Sequence, residues 1–268
     1  MSSFFFSFVF MNNNQPIGLF DSGIGGTSIW TAIHQLMPAE DTIYLADSKN
    51  APYGQKSKDA IIALSCKNTE FLLEKNAKII VVACNTATTN AIKELRTKYD
   101  VPFIGIEPAI KPAANNSNTQ KIGILATKGT LSSELFNKAV EIYQETTIIE
   151  QIGYGLVELI ENGEIHSPEM TKLLHSYLEP MVAANIDYLV LGCSHYPYLI
   201  PQIKSILPPH IKIIDSGEAV ARQTQKVLQE QSGFHTHGVG ENTFYTNADP
   251  KVLSDILGNQ YQTIQKDF

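Results

Sequence analysis

The stretch Ile79-Ile80-Val81-Val82-Ala83-Cys84-Asn85-Thr86 is an apolar run of strand length that ends in a thiol and passes at once into small polar residues. The same arrangement recurs as Tyr188-Leu189-Val190-Leu191-Gly192-Cys193-Ser194-His195. A run without polar alternation marks a strand buried on both faces, the condition of a parallel sheet covered by helices. The polar turn that follows puts each cysteine at the carboxyl edge of its sheet, where ligands bind in open α/β folds. Two thiols in equivalent settings 109 positions apart (193 minus 84) point to two thiols facing one substrate.

Working outward, strands are expected at 17–20, 42–46, 79–83, 103–105, 121–126, 146–149, 188–192 and 212–215. Helices are expected at 27–37, 57–75, 86–99, 132–143, 168–185 and 218–231. The alternation predicts an α/β fold with mostly parallel sheets. Ile17-Gly18-Leu19-Phe20-Asp21-Ser22-Gly23 is weakly echoed by Ile122-Gly123-Ile124-Leu125-Ala126-Thr127-Lys128, an offset of 105 (122 minus 17) close to that of the cysteines. We therefore expect two similar three-layer α/β/α domains related by a pseudo-twofold, with the active site between them. The polar run Asn115 to Gln120 reads as a loop opening the second half.

Composition narrows the function classes. With 43% hydrophobic and 18% charged residues among 268, the chain is neither disordered nor membrane-like. A net charge of −7 without a basic patch argues against nucleic acid as the primary ligand. Three cysteines are not a disulfide framework and fit a reducing, cytoplasmic compartment. Ser2 to Phe10 is apolar but too short to span a bilayer, and it lacks the basic region and cleavage site of a signal peptide. Residues 1–15 are read as a disordered extension, with Met11 as the expected start.

Several motifs carry chemistry. Asp21-Ser22-Gly23-Ile24-Gly25-Gly26-Thr27 joins a strand to a helix, and its glycines permit close backbone approach. The helix start that follows could hold an anion such as a carboxylate; a plain cap and turn is the alternative. A dinucleotide fingerprint fails, because the third glycine would fall at Ser28. Cys84, at a helix N-terminus, is expected to have a lowered pKa, and Asn85 and Thr86 add uncharged donors and acceptors. In Cys193-Ser194-His195 the imidazole could exchange protons with the thiol. No CxxC or HExxH pattern completes a metal site, so none is expected. Tyr53 and Gly54, in the turn-rich loop Asp47 to Gly54, and Thr127 and Thr130, in the matching place of the second half, could line a pocket; a surface loop is the alternative for the former. Cys66 shares a helical stripe with Ile62 and Leu73 and reads as core.

Together these segments resemble the glutamate racemases of the cofactor-independent aspartate/glutamate racemase family. Five stretches match in order: Ile17 to Gly26, Asp47 to Gly54, Ala83 to Ala87, Gly105-Ile106-Glu107-Pro108-Ala109, and Leu191 to Pro197. The resemblance covers Pro16 to about Asp215. It implies interconversion of L- and D-glutamate without a cofactor, for peptidoglycan synthesis, in a homodimer. It assigns Cys84 to the Cα proton of D-glutamate, assisted by Asp21, and Cys193 to that of L-glutamate, assisted by His195. Ser22, Tyr53, Gly54, Asn85, Thr86, Thr127, Thr130 and Ser194 would join these in binding substrate. It also implies a first domain of 16–107 with 217–268 and a second of 108–216. Two departures stand out. Ser194 replaces the family's usual threonine and keeps the hydroxyl. Gly153 to Leu159 replaces a usual Cys-Pro before Leu-Val-Pro-Leu, which bears on helix packing there. Aspartate racemases usually carry glutamate at the position of His195. An aspartate racemase and a non-catalytic amino-acid-binding protein are the alternatives.

Overall fold

The computed structural model describes residues 15–268 except 232, 234 and 236. The expected N-terminal extension lies, but for Gln15, outside the described residues. In chain order the first part comprises β1 (Ile17–Asp21), α1 (Thr27–Leu36), β2 (Thr42–Ala46), α2 (Lys58–Glu74), β3 (Ile79–Val82), α3 (Asn85–Lys98) and β4 (Phe103–Gly105). The second comprises α4 (Ile110–Asn116), β5 (Lys121–Ala126), α5 (Lys128–Leu131), α6 (Glu134–Glu141), β6 (Thr147–Ile152), α7 (Leu156–Glu161), α8 (Pro168–Ala183), β7 (Tyr188–Gly192), α9 (Ile200–Ile206) and β8 (Lys212–Ile214). The chain closes with α10 (Gly217–Gln231), β9 (Asn242–Thr246), α11 (Pro250–Ile256) and β10 (Thr263–Gln265).

Two sheets result, one of order β10-β9-β2-β1-β3-β4 and one of order β6-β5-β7-β8, with every pairing among the described strands parallel. The order 2-1-3-4 is thus repeated as 6-5-7-8, and the two cysteines follow the equivalent strands β3 and β7. β1, β3 and β7 are buried along their whole length, as unalternating apolar runs require. No helix among the described residues is long and apolar enough to cross a membrane.

The expected elements form, with differences at the margins. The expected strand 146–149 runs on to Ile152. The expected helix 132–143 forms as the shorter α6, whose start Ser133 caps through its side-chain oxygen, and a single unexpected turn, α5, capped by Thr127, precedes it. The stripe of Ile62, Cys66 and Leu73 is only partly buried; the fully buried face of α2 carries Ile61, Ser65, Asn68 and Leu72. Where the chain departs from the family pattern, Gly155 takes φ +80° and α7 follows with Leu156, Val157 and Ile160 buried. The strands β9 and β10 were not expected. They are short and half-buried and carry no apolar run, but they extend the first sheet beside β2.

The returning C-terminal segment is fastened at the sheet's amino edge. Lys78 Nζ lies 2.6 Å from Glu40 Oε2, both side chains essentially buried. Glu40 Oε1 also accepts from the His235 amide at 2.5 Å, and Gly240 N–H donates to Pro38 O at 3.0 Å. Removing one member of a buried ion pair leaves a charge uncompensated, at a cost of about 3–5 kcal/mol. Lys78→Met is therefore expected to lower unfolding free energy in urea by about that amount, and adding Glu40→Leu to recover most of it.

Candidate active site

The carboxyl ends of β1, β3, β5 and β7 converge on a small closed cavity of about 10 Å³, lined among others by Ser22, Tyr53, Asn85, Thr127 and both Cys84 and Cys193. Cys84 caps α3, its Sγ accepting from Ala87 N–H at 3.4 Å and its thiol donating to Ser22 Oγ at 3.6 Å. Cys193 Sγ stands 3.8 Å from His195 Nδ1. The two thiols thus come from different sheets to one cavity, and each is buried.

Asp21, at the end of β1, accepts from Gly23 N–H at 2.8 Å and from Ser194 Oγ at 2.8 Å. Burial pushes its carboxyl up to about 6, against the lowering effects of His195, Ser194 and Gly23. His195 lies between Cys193 and Glu161, whose Oε1 is 2.5 Å from Nε2. Burial alone would lower the imidazole's pKa; its hydrogen bonds to Cys193 and Glu161 and the charges of Asp21 and Glu161 instead hold it well above the usual value. The short contact places a proton on Nε2, so the Gly25 N–H that also points at this atom, 3.3 Å away, cannot donate to it. An imidazolium here donates to Glu161 and presents Nδ1–H to Cys193.

One expectation is overturned. The helix N-terminus was expected to lower the pKa of Cys84, but burial, and then the charge of Asp21, raise it well above an ordinary thiol. The hydrogen bonds from Ala87 and Ser22 oppose that shift without reversing it. Desolvation of a buried thiolate outweighs one helix terminus.

Opposite the thiols, Thr86 Oγ1 lies 2.8 Å from Thr127 Oγ1 and 3.4 Å from Thr130 Oγ1, and the last two are 3.1 Å apart. Gly54 packs against Thr127 so closely that a Cβ would fall 2.8 Å from Thr127 Cβ. Asn85 is 2% exposed with both amide heteroatoms unpartnered, so it offers a donor and an acceptor to whatever enters. The Tyr53 hydroxyl is already engaged by Asp47 and Asn68, so that residue is placed at the cavity without a free hydroxyl. All the expected site residues are thus found in or against one cavity.

Glu161 was missed. It accepts from Ile24 N–H at 2.7 Å and Ser48 Oγ at 2.8 Å besides meeting His195. The glycine loop before α1 does hold a carboxylate, but it is the chain's own Glu161. A Cβ at Gly23 would stand 1.9 Å from Glu161 Oε1, and one at Gly25 2.1 Å from His195 Nδ1, so both positions demand glycine. The available signal was helical spacing. Val157, Ile160 and Glu161 share one face at i, i+3 and i+4, which sets a carboxylate on the buried stripe of α7. Val157 and Pro52, which also line the cavity, carried no signal of their own. Among the described residues no group of three or more His, Cys, Asp or Glu side chains is arranged to hold a metal ion.

The raised carboxyl of Asp21 has a sign that can be measured. Its folded value of about 6 exceeds the ordinary 3.8, so the ionised form opposes folding. That opposition is absent below 3.8, builds as pH rises to about 6, and persists above. Asp21→Asn is expected to be the more stable protein at neutral and alkaline pH, by at most about 3 kcal/mol, with the advantage shrinking on acidification. Urea unfolding of both proteins across that range checks it; a parent at least as stable at alkaline pH would contradict the assignment.

With this geometry in hand, the chain can be set beside known proteins. A profile of the family described as Asp/Glu/Hydantoin racemase matches residues 18–224. Glutamate racemase of Pseudomonas entomophila (strain L48) is 43% identical over 246 residues, covering 91% of this chain and 93% of that protein. A crystal structure of a glutamate racemase isoform from Bacillus anthracis superposes with a TM-score of 0.87 at 29% identity, covering 96% of this chain and 99% of that one. Escherichia coli glutamate racemase, in complex with L-glutamate and the activator UDP-MurNAc-ala, gives 0.84 at 31% identity, covering 94% of this chain and 98% of that one. The chain is therefore a racemase, an isomerase belonging to the Asp/Glu/hydantoin racemase family.

Proposed function

We propose that the protein is a glutamate racemase that inverts Cα by two-base proton transfer between Cys84 and Cys193. The observation that carries this reading is two buried thiols from two sheets on one cavity, each beside its own ionisable group. In the direction from D- to L-glutamate, the Cys84 thiolate takes the Cα proton and the Cys193 thiol delivers one to the other face. The cycle leaves Cys84 as thiol and Cys193 as thiolate, and the reverse reaction restores them. Positioned acids and bases of this kind contribute about 10²–10⁴-fold each.

The difficult step is the carbanion, formed with no pyridoxal electron sink. Donors already in place where charge develops are commonly the largest catalytic contribution. Asn85, with its unpartnered amide, and the hydroxyls of Ser22, Thr86, Thr127, Thr130 and Ser194 are suited to the substrate carboxylates. Asp21 serves the Cys84 side and His195, fixed by Glu161, the Cys193 side. A cavity of about 10 Å³ holds no more than a water, so glutamate enters only when the two halves part. The similarity to glutamate racemases, one of them solved with L-glutamate bound, supports glutamate as the substrate.

The same reading places the protein in the cytoplasm, supplying D-glutamate for peptidoglycan, as a homodimer. It divides the chain into a first domain of 16–107 with 217–268 and a second of 108–216; the pairing of β9 with β2 supports that division.

Incubation with L-glutamate in D2O, without added cofactor, tests the proposal. Loss of optical rotation with deuterium at Cα is expected. Cys84→Ala and Cys193→Ala are each expected to lower racemisation by about 10²–10⁴-fold. Normal turnover by either variant would rule out the two-thiol mechanism. Binding without exchange would instead make the protein a binding module, and exchange with aspartate alone an aspartate racemase.

A further inference from the structure

Tyr44 stands in the middle of β2, opposite Leu19 of β1 and Phe244 of β9, among the apolar side chains of the core. It is fully buried and does not line the catalytic cavity. A phenol in such a place needs a partner for its hydroxyl. That partner is the carbonyl of Gly23, which accepts from Tyr44 Oη at 2.8 Å. Burial, and then the charge of Asp21, hold the phenol well above its ordinary value, so the hydroxyl remains a donor. Gly26 keeps the way open, because a Cβ there would fall 2.8 Å from the hydroxyl.

The carbonyl of Gly23 and the N–H of Ile24 belong to one planar peptide group and point in opposite directions. Tyr44 holds the carbonyl, and the N–H donates to Glu161 Oε1 at 2.7 Å. The same carboxylate oxygen meets His195 Nε2 at 2.5 Å, and His195 Nδ1 faces Cys193 Sγ at 3.8 Å. One line of contacts therefore runs from the core of the first sheet, through a single peptide, to the thiol of the second. A hydrogen bond accepted at the carbonyl polarises the N–H of the same amide and strengthens its donation. The peptide needs such a hold. A Cβ at position 23 would stand 1.9 Å from Glu161 Oε1, so the position demands glycine, and glycine leaves the peptide that follows free to turn. The N–H of Gly23 belongs to the preceding peptide and donates to Asp21 Oδ1 at 2.8 Å. Turning the Gly23–Ile24 peptide thus disturbs the carboxylate that meets His195 and spares the one beside Cys84.

We propose that Tyr44 is a positioning residue for the Cys193 half of the site, its hydroxyl fixing the Gly23–Ile24 peptide and, through that N–H, the carboxylate of Glu161 against His195. The line of hydrogen bonds stands on geometry; its effect on turnover rests on the two-thiol mechanism proposed above. Tyr44→Phe removes the hydroxyl and keeps the ring against Phe244, 5.9 Å away between centroids. The kcat is expected to fall by about tenfold, the worth of one ordinary hydrogen bond, with KM nearly unchanged because Tyr44 does not reach the cavity.

A crystal structure of Tyr44→Phe tests the line itself. The Gly23–Ile24 peptide is expected to turn and its N–H to leave hydrogen-bond distance of Glu161 Oε1; an unchanged peptide and contact would overturn the proposal. Isotope effects on kcat/KM test the consequence. L-Glutamate deuterated at Cα reports the proton removal assigned to Cys193, and D-glutamate deuterated at Cα that assigned to Cys84. In Tyr44→Phe the effect with the L-isomer is expected to rise and that with the D-isomer to fall, since the Cys193 step becomes the slower one. Tyr198→Phe is the control. It removes another hydroxyl, which meets Thr27 Oγ1 at 2.5 Å and lies outside the line to Glu161, and it should leave both isotope effects at the parent's values. A slower Tyr44→Phe protein with both isotope effects unchanged, or the same shift in both variants, would make the hydroxyl a merely structural contact and overturn the proposal. No turnover by the parent, with the peptide turned in Tyr44→Phe, would instead refute the racemase reading and leave the positioning of Glu161 in place.

Discussion

Two buried carboxylates, Asp21 and Glu161, hold the site together, and each is satisfied from across the seam between the sheets. Asp21 ends a strand of the first sheet and accepts from Ser194, which follows a strand of the second. Glu161 comes from α7 in the second part and accepts from Ile24 and Ser48 in the first. A buried anion without donors costs several kcal/mol, so while the halves are together each group needs the donors that the opposite half supplies. The same contacts set the catalytic geometry. Ser194 precedes the imidazole that faces Cys193, and Glu161 fixes that imidazole's orientation. Under the proposed mechanism, closing the cleft and assembling the acid–base groups are one event.

That coupling explains the glycines between β1 and α1. Gly23 makes room for the Glu161 carboxylate and Gly25 for the imidazole of His195, and any side chain at either position would collide. Their function is close approach by the other half, more than the turning of the chain itself. The hydroxyl group of Thr86, Thr127 and Thr130 meets across the same seam. Around these hydroxyls further polar contacts cross the seam, Asn90 to Gly129 and Thr27 to Tyr198 among them, beside an apolar core shared by both sheets.

The sheets were legible in the sequence because their central strands are apolar without alternation, and the thiol at the end of two of them located the site. The side-chain caps Ser57, Thr127, Ser133 and Ser167 were not read from the sequence, and with them the separate turn α5 before α6 was missed. What stayed hidden was set by long-range pairing. The strands β9 and β10 are too short and too polar to announce themselves; they exist because β2 offers an open edge and the Lys78–Glu40 pair brings the returning chain beside it. Glu161 is a single carboxylate in an ordinary amphipathic helix, and only its place on the buried stripe set it apart. The raised thiol of Cys84 was missed for a different reason. Sequence places a residue at a helix start, but burial and the approach of Asp21 are properties of the assembled cavity.

The direction of that shift bears on how the proposed base is generated. In this cavity burial and the charge of Asp21 both favour the protonated thiol of Cys84. An amino-acid substrate brings its own ammonium group, a cation of the sign the cavity lacks near Cys84. Placed by the carboxylate of Asp21, such a group would cancel the field that now raises the thiol, and it would favour the thiolate only while substrate is bound. On the other side, hydrogen bonds to Cys193 and Glu161 hold the His195 imidazole well above its usual pKa, with Nδ1 facing Cys193. The two thiols are therefore matched in position but not in electrostatics. Under the proposed mechanism the carboxylate beside Cys84 makes that thiol depend on the substrate's ammonium group, whereas the group that faces Cys193 is a side chain of the protein itself.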